Sequence, residues 1–129
     1  MRRPYDYFKF SEFDSPDAPG SGEEHMDREF LRLLDQARAI AGVAFRITSG
    51  YRTTEYHQDL TDRGYPTSPD SAHLHGCAAD IEVKNSRQRY LIIRALLTVG
   101  LNRIGIGRTF VHVDNLETKT EDLIWTYEN

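Results

Sequence analysis

Two short segments carry most of the side chains that can do chemistry. Ser71-Ala72-His73-Leu74-His75-Gly76-Cys77-Ala78-Ala79-Asp80 offers imidazoles and a carboxylate, and Phe110-Val111-His112-Val113-Asp114 offers one more of each. Two imidazoles and a carboxylate suit Zn²⁺, and three protein ligands leave a fourth position for the water that a hydrolase needs. A closed structural site would ordinarily add thiolates. Cys77 is the only cysteine, so neither a thiolate cage nor an internal disulfide can be built. The pattern therefore reads as a split zinc site with an open position.

These donors need a loop and strands to position them, and the spacing of His73 and Asp80 suits a loop followed by a strand. Period-two alternation over Ala78 to Val83 sets Ala78, Asp80 and Glu82 on one face and Ala79, Ile81 and Val83 on the other. The same alternation sets Phe110, His112 and Asp114 together, against Val111 and Val113. Arg103 to Gly107 reads as a Gly-punctuated partner strand, and Val43 to Ser49 as another short strand. From Asp27, apolar residues at Phe30, Leu33, Leu34, Ala37, Ile40 and Ala41 recur at helical spacing, with Gly42 as the stop. Thr53 or Thr54 can cap a short helix over Glu55 to Leu60, and Ser86 a well-buried one ending at Gly100. The prediction is one small α+β domain, helices on one side of a mostly antiparallel sheet and the metal on the other. Residues 13–24 are rich in Pro, Gly, Ser and Asp and have little to bury. They predict an N-terminal arm and loop over 1–25, followed by the functional domain over 26–129.

The pattern S-x-H-x-x-G-x-A-x-D followed by H-x-D resembles the zinc D-alanyl-D-alanine carboxypeptidase family of peptidoglycan peptidases, whose fold is shared with hedgehog signalling domains. Ser71, His73, Gly76, Ala78 and Asp80 fit it, and Ser49-Gly50-Tyr51-Arg52 resembles the family's S-G-Y-R element. The likeness in order and spacing runs from about Met26 to Asn115. It implies that zinc sits on His73, Asp80 and His112, and that Arg52 faces the substrate, where a guanidinium can steady an oxyanion or a carboxylate. Relatives with H-x-H make Asp114 an alternative to His112 as last ligand. Relatives also commonly place Glu, Asp or His two or three residues before that ligand, where this chain has Thr109 and Phe110. Asp114 is then the candidate general base, with Glu117 and His75 behind it. His75 is otherwise a supporting or surface residue, and His25 and His57 are expected to be solvated. Ser71 is expected to fix its loop and Cys77 to be a small buried residue. Tyr51, Tyr65, Trp125 and Tyr127 suit either a glycopeptide groove or the core.

The resemblance implies a zinc metallopeptidase acting on peptidoglycan peptides, as carboxypeptidase or endopeptidase. The alternative is a non-catalytic zinc-containing binding module of the same fold. A chain of 129 residues supports one core, and a monomer is expected. Sixteen basic residues against 20 acidic ones give a net charge of -4 with no basic stripe, which argues against a nucleic-acid partner. A mean hydropathy of -0.60 argues against membrane insertion. Arg2 and Arg3 are followed by no apolar run, so no signal peptide is expected. The protein would be made in the cytoplasm and act on the cell wall, as a phage-encoded, endolysin-like enzyme or one exported by another route.

Overall fold

Asp27 begins the longest helix: its carboxylate accepts the Phe30 amide at 2.8 Å, satisfying one of the donors that a helix start leaves open. The computed structural model describes residues 4–127, so 1–3 and 128–129, the outer ends of the two expected segments, lie outside the described residues. After the short helix α1 (Ser21–His25), α2 (Arg28–Ala41) buries Phe30, Leu31, Leu34, Ala37 and Ala41 along one side. Gly42 then takes the left-handed conformation, φ 71°, that stops it. Helix α4 (Ser86–Thr98) is capped one residue earlier than expected. The Asn85 amide oxygen takes the Gln88 N–H at 2.8 Å, and asparagine caps as well as serine does. Its buried Ile92, Ala95 and Leu96 pack with α2, and α4 also packs on the sheet.

The sheet has five strands: β1 (Ile47–Ser49), β2 (Ala78–Glu82), β3 (Arg103–Ile106), β4 (Phe110–Asp114) and β5 (Leu123–Thr126), in the order β1-β2-β4-β3-β5. All pairs are antiparallel except β3 with β5. Ile81, Val111, Val113 and Ile104 point to the helices and are fully buried, each contributing about 1.5–3 kcal/mol by leaving water. The fold is thus α+β with a mixed, mostly antiparallel sheet. β1 is shorter than the expected Val43–Ser49, because Phe45 turns into the core beside Phe8 at a ring separation of 6.4 Å. β5 was not foreseen. Among the described residues no helix is long and apolar enough to cross a membrane.

The expected N-terminal arm is corrected by the structure. Phe8 and Phe13 are buried in the core with Tyr5, and the breaker-rich stretch is tied down by its own polar groups. Asp14 accepts the amides of Gly20 and Gly22, and Ser21 Oγ accepts that of Ser15. Three aromatic anchors outweigh the local turn chemistry, so the segment is a brace against the sheet. Helix α3 (Thr54–Asp62), capped by Thr53, stands beside the open face of the sheet, where Tyr56 and Leu60 line a hollow. His57, expected in solvent, is buried there. Its Nε2 donates to the Ser68 carbonyl at 2.8 Å and ties α3 to the loop before His73.

Candidate metal centre and cleft

Register brings one row of side chains across the open face of the sheet. Ser49 lies opposite Asp80, Asp80 opposite His112, His112 opposite Gly105, and Gly105 opposite Trp125. Directly opposed residues share a face, so five strands deliver one line of groups. A second row sets Ala78, Asp114 and Arg103 side by side.

His73 enters from a 3-10 turn (Ala72–His75) in which Ser71 Oγ accepts the His73 amide at 3.2 Å. Gly76 ends that turn at φ 72°, and a Cβ there would lie 2.0 Å from the His25 carbonyl oxygen. Only glycine fits. The Gly76 carbonyl in turn accepts the Asp27 amide at 2.8 Å, so the start of α2 holds the loop. His73 Nδ1 lies 2.6 Å from the Gly50 carbonyl, which can only accept, so Nδ1 carries the proton and Nε2 is left bare. Gly50 is itself pressed on Phe13, whose carbonyl accepts the Tyr51 amide at 2.9 Å. The N-terminal brace thereby sets the orientation of a candidate ligand.

His73 Nε2 and His112 Nδ1 approach the same oxygen, Asp80 Oδ1, at 3.4 and 2.9 Å. The three groups offer donor atoms within 4.8 Å of one another and could hold a metal ion. Each outer imidazole nitrogen is anchored, His73 on Gly50 and His112 Nε2 on Asp114 Oδ2 at 2.7 Å. Such anchoring fixes tautomer and ring orientation in metal sites. The donor chemistry of two imidazoles and one carboxylate, reached from a cleft of about 460 Å³, fits Zn²⁺.

The electrostatics follow from burial and these contacts. Burial disfavours charge on His73 and lowers its pKa, although Asp80 opposes this. Burial also works against the Asp80 carboxylate, but His73 and His112 outweigh it and hold the group well below the usual range. His112 is driven the other way. Despite its burial, the hydrogen bonds it donates to Asp114 and Asp80 raise its pKa to about 9.

Asp114 departs from the role expected of it. It is 2% exposed, and besides His112 it takes the Arg103 Nε proton at 2.7 Å and the Leu116 amide at 3.4 Å. Burial would raise its pKa, yet His112 and Arg103 hold it below the usual value. A carboxylate so committed orients His112 rather than waiting for a proton. The other two candidates for the base do not line the cleft: Glu117 is exposed, and exposed His75 pairs with Asp70 at 2.9 Å. Thr109 and Phe110 supply no substitute.

Arg52 does face the site, with Nη2 3.8 Å from Asp80 Oδ2 and Nε held by Ser49 Oγ at 3.3 Å. Its amide donates to the His73 carbonyl. Of the aromatics left open by the sequence, Trp125 and Tyr127 wall the cleft. Trp125 lies 5.7 Å from the His112 ring and under the Arg103 guanidinium. Gly105 leaves the gap they fill, since a Cβ there would meet Tyr127 at 2.7 Å and Trp125 Nε1 at 2.8 Å. Tyr51 stacks on His25 away from the cleft at 4.5 Å, and Tyr65 lines the neighbouring hollow. Cys77 is buried as expected, and burial pushes its thiol up to about 11.

The family model for Peptidase M15 matches residues 8–114. No curated protein matches the chain at a significant level.

Proposed function

The chain belongs to the peptidase M15 family, and from that premise we propose a zinc-dependent metallopeptidase that hydrolyses peptide bonds of peptidoglycan stem peptides or cross-links. Bonds involving D-amino acids are its target class, cut in the manner of a D-Ala-D-Ala carboxypeptidase or of an endopeptidase, at the cell wall. The observation that carries this reading is the convergence of His73 Nε2 and His112 Nδ1 on Asp80 Oδ1, with both outer nitrogens already anchored.

His73, Asp80 and His112 would hold the ion. Zinc supplies Lewis acidity toward a scissile carbonyl and lowers the pKa of water. The remaining work belongs to the chain. Arg52, partly buried and only loosely paired at 3.8 Å, keeps N–H donors for an oxyanion, and a donor in a water-poor site stabilises developing charge strongly. Burial lowers its pKa and Asp80 opposes that. Asp114 holds the His112 Nε2 proton in place and fixes the direction of Nδ1. Trp125, Tyr127 and Phe110 exclude water from one wall.

One observation favours a second reading, a non-catalytic zinc-containing binding module. Among the described residues lining the cleft, the two carboxylates, Asp80 and Asp114, are both engaged by cations or imidazoles. The test is digestion of purified muropeptides by the zinc-loaded protein with Asp80→Ala alongside, read by mass spectrometry. New fragments that vanish in the variant support the peptidase and identify its bond. Intact muropeptides despite bound zinc would replace it with the binding module.

A further inference from the structure

The cleft is cationic on an acidic chain. Its lining includes Arg52, Arg103 and Lys119 against Asp80 and Asp114, while the whole chain carries -4. Two of the three cations have partners. Arg103 is consumed by Asp114 and the Thr120 carbonyl, and Arg52 is held by Ser49 and Asp80. Lys119 is different: half-buried at the cleft wall, its ammonium makes no hydrogen bond or ion pair among the described residues. Its field reaches Asp70, whose carboxylate is occupied by His75.

The backbone beneath Lys119 is well fixed. It lies between β4 and β5, where its amide donates to the Leu116 carbonyl at 3.1 Å and the Leu116 amide is caught by Asp114. On its other side, Arg103 grips the Thr120 carbonyl and Asn102 Nδ2 donates to Asp122 at 2.7 Å. Asp114, which holds His112, and its partner Arg103 thus anchor both flanks of Lys119. An unpaired ammonium carried on an anchored loop at the cleft wall is an anion-recognition group at little ordering cost.

We infer that Lys119 is a specificity-determining residue: it pairs with a carboxylate of the substrate peptide lying against Trp125, so that the protein selects acidic peptides over their amidated forms. This rests on the peptidase reading of the cleft and adds the substrate's charge to it. The carboxylate has two possible sources. One is the peptide's C-terminus, which belongs to a carboxypeptidase; the other is a side-chain carboxylate near the scissile bond, which belongs to an endopeptidase.

The test uses the zinc-loaded full chain, as wild type, Lys119→Met and Lys119→Arg. The probe is a synthetic stem pentapeptide containing D-glutamate and ending in D-alanine, with the side-chain and terminal carboxylates amidated singly and together. Two readouts are taken, kcat/KM for cleavage and Kd from the emission of Trp125, the only tryptophan of the chain. Amidating one carboxylate should weaken wild-type binding about tenfold, the loss of one charge-assisted hydrogen bond at a partly solvated site. Lys119→Met should bind acid and amide alike, while Lys119→Arg keeps the preference. Which amidation matters names the source of the carboxylate. Wild-type cleavage indifferent to both amidations overturns the inference and leaves the peptidase standing, as does a preference that survives in Lys119→Met. Acid-selective binding through Lys119 without cleavage does the reverse.

Discussion

Replacing Asp114 by asparagine separates the two roles this residue has been given. The amide keeps the volume and one oxygen but removes the charge that holds His112 Nε2 and Arg103 Nε, each at 2.7 Å. Arg103, 7% exposed, is left with the Thr120 carbonyl as its polar partner. Weakening one member of a buried pair costs roughly 3 kcal/mol, which for a domain of this size lowers the Tm by roughly 10–15 °C. The imidazole loses its fixed direction, and disturbing such a supporting carboxylate typically lowers metal affinity about 10–100-fold. The assays are thermal melts of the metal-free protein, chelator competition for zinc, and turnover of a cleavable muropeptide at saturating zinc. Positioning predicts large effects in the first two and a modest loss in the third. Wild-type stability and zinc affinity together with a turnover collapse of more than about 100-fold would refute this and restore Asp114 as the general base.

Three further outcomes are expected. Gly76→Ala drives a Cβ to within 2.0 Å of the His25 carbonyl from a left-handed backbone, and should cost at least about 3 kcal/mol because backbone cannot yield as a side chain does; an unchanged denaturant midpoint contradicts it. The Cβ of Gly105→Ala meets the side chains of Trp125 and Tyr127 first. Partly exposed rings can swing away, so stability should change by less than about 1 kcal/mol while Trp125 emission shifts, and constant emission would show that the rings do not fill that gap. Cys77, pushed by burial from 9.0 to about 11, stays a protonated thiol at pH 8, where an unfolded thiol already ionises in part. An aromatic disulfide reagent should label the native protein on the order of 100-fold more slowly than the unfolded chain, and comparable rates would rule out the buried thiol.

The elements that a local pattern specifies were legible in the sequence. Asp27 and Gly42 bracket α2 because capping and left-handed termination are decided within a few residues. Alternation in β2 and β4 placed Asp80 and His112 on one face, which pairing then set opposite each other. What escaped depended on distant partners. Leu123-Ile124-Trp125-Thr126 lacks alternation and forms a strand only by lying parallel to β3. His57 looked solvated until the Ser68 carbonyl, delivered by a loop, met its ring. Asp114 shares a face with His112, as the alternation implied, yet nothing in its neighbourhood announced Arg103, eleven residues earlier on the adjoining strand. The residues 13–24 misled because their composition describes local turns, whereas their placement is dictated by the phenylalanines on the core.

The row across the open face divides at Gly105. On one side stand Asp80 and His112, inside the span shared with the family; on the other stand Trp125 and Tyr127, on a strand that begins after the match ends at residue 114. Gly105 offers no side chain of its own, so the Trp125 and Tyr127 side chains lie directly on it and the two halves meet across that glycine. The last dozen or so residues behave, in design terms, as a cartridge: β5 and its approach can be exchanged or diversified in a library while the ligand-bearing strands keep their sequence. An engineer seeking a different wall preference has a natural cut point just after Asn115, and the parallel ladder to β3 as the seat on which each replacement must dock.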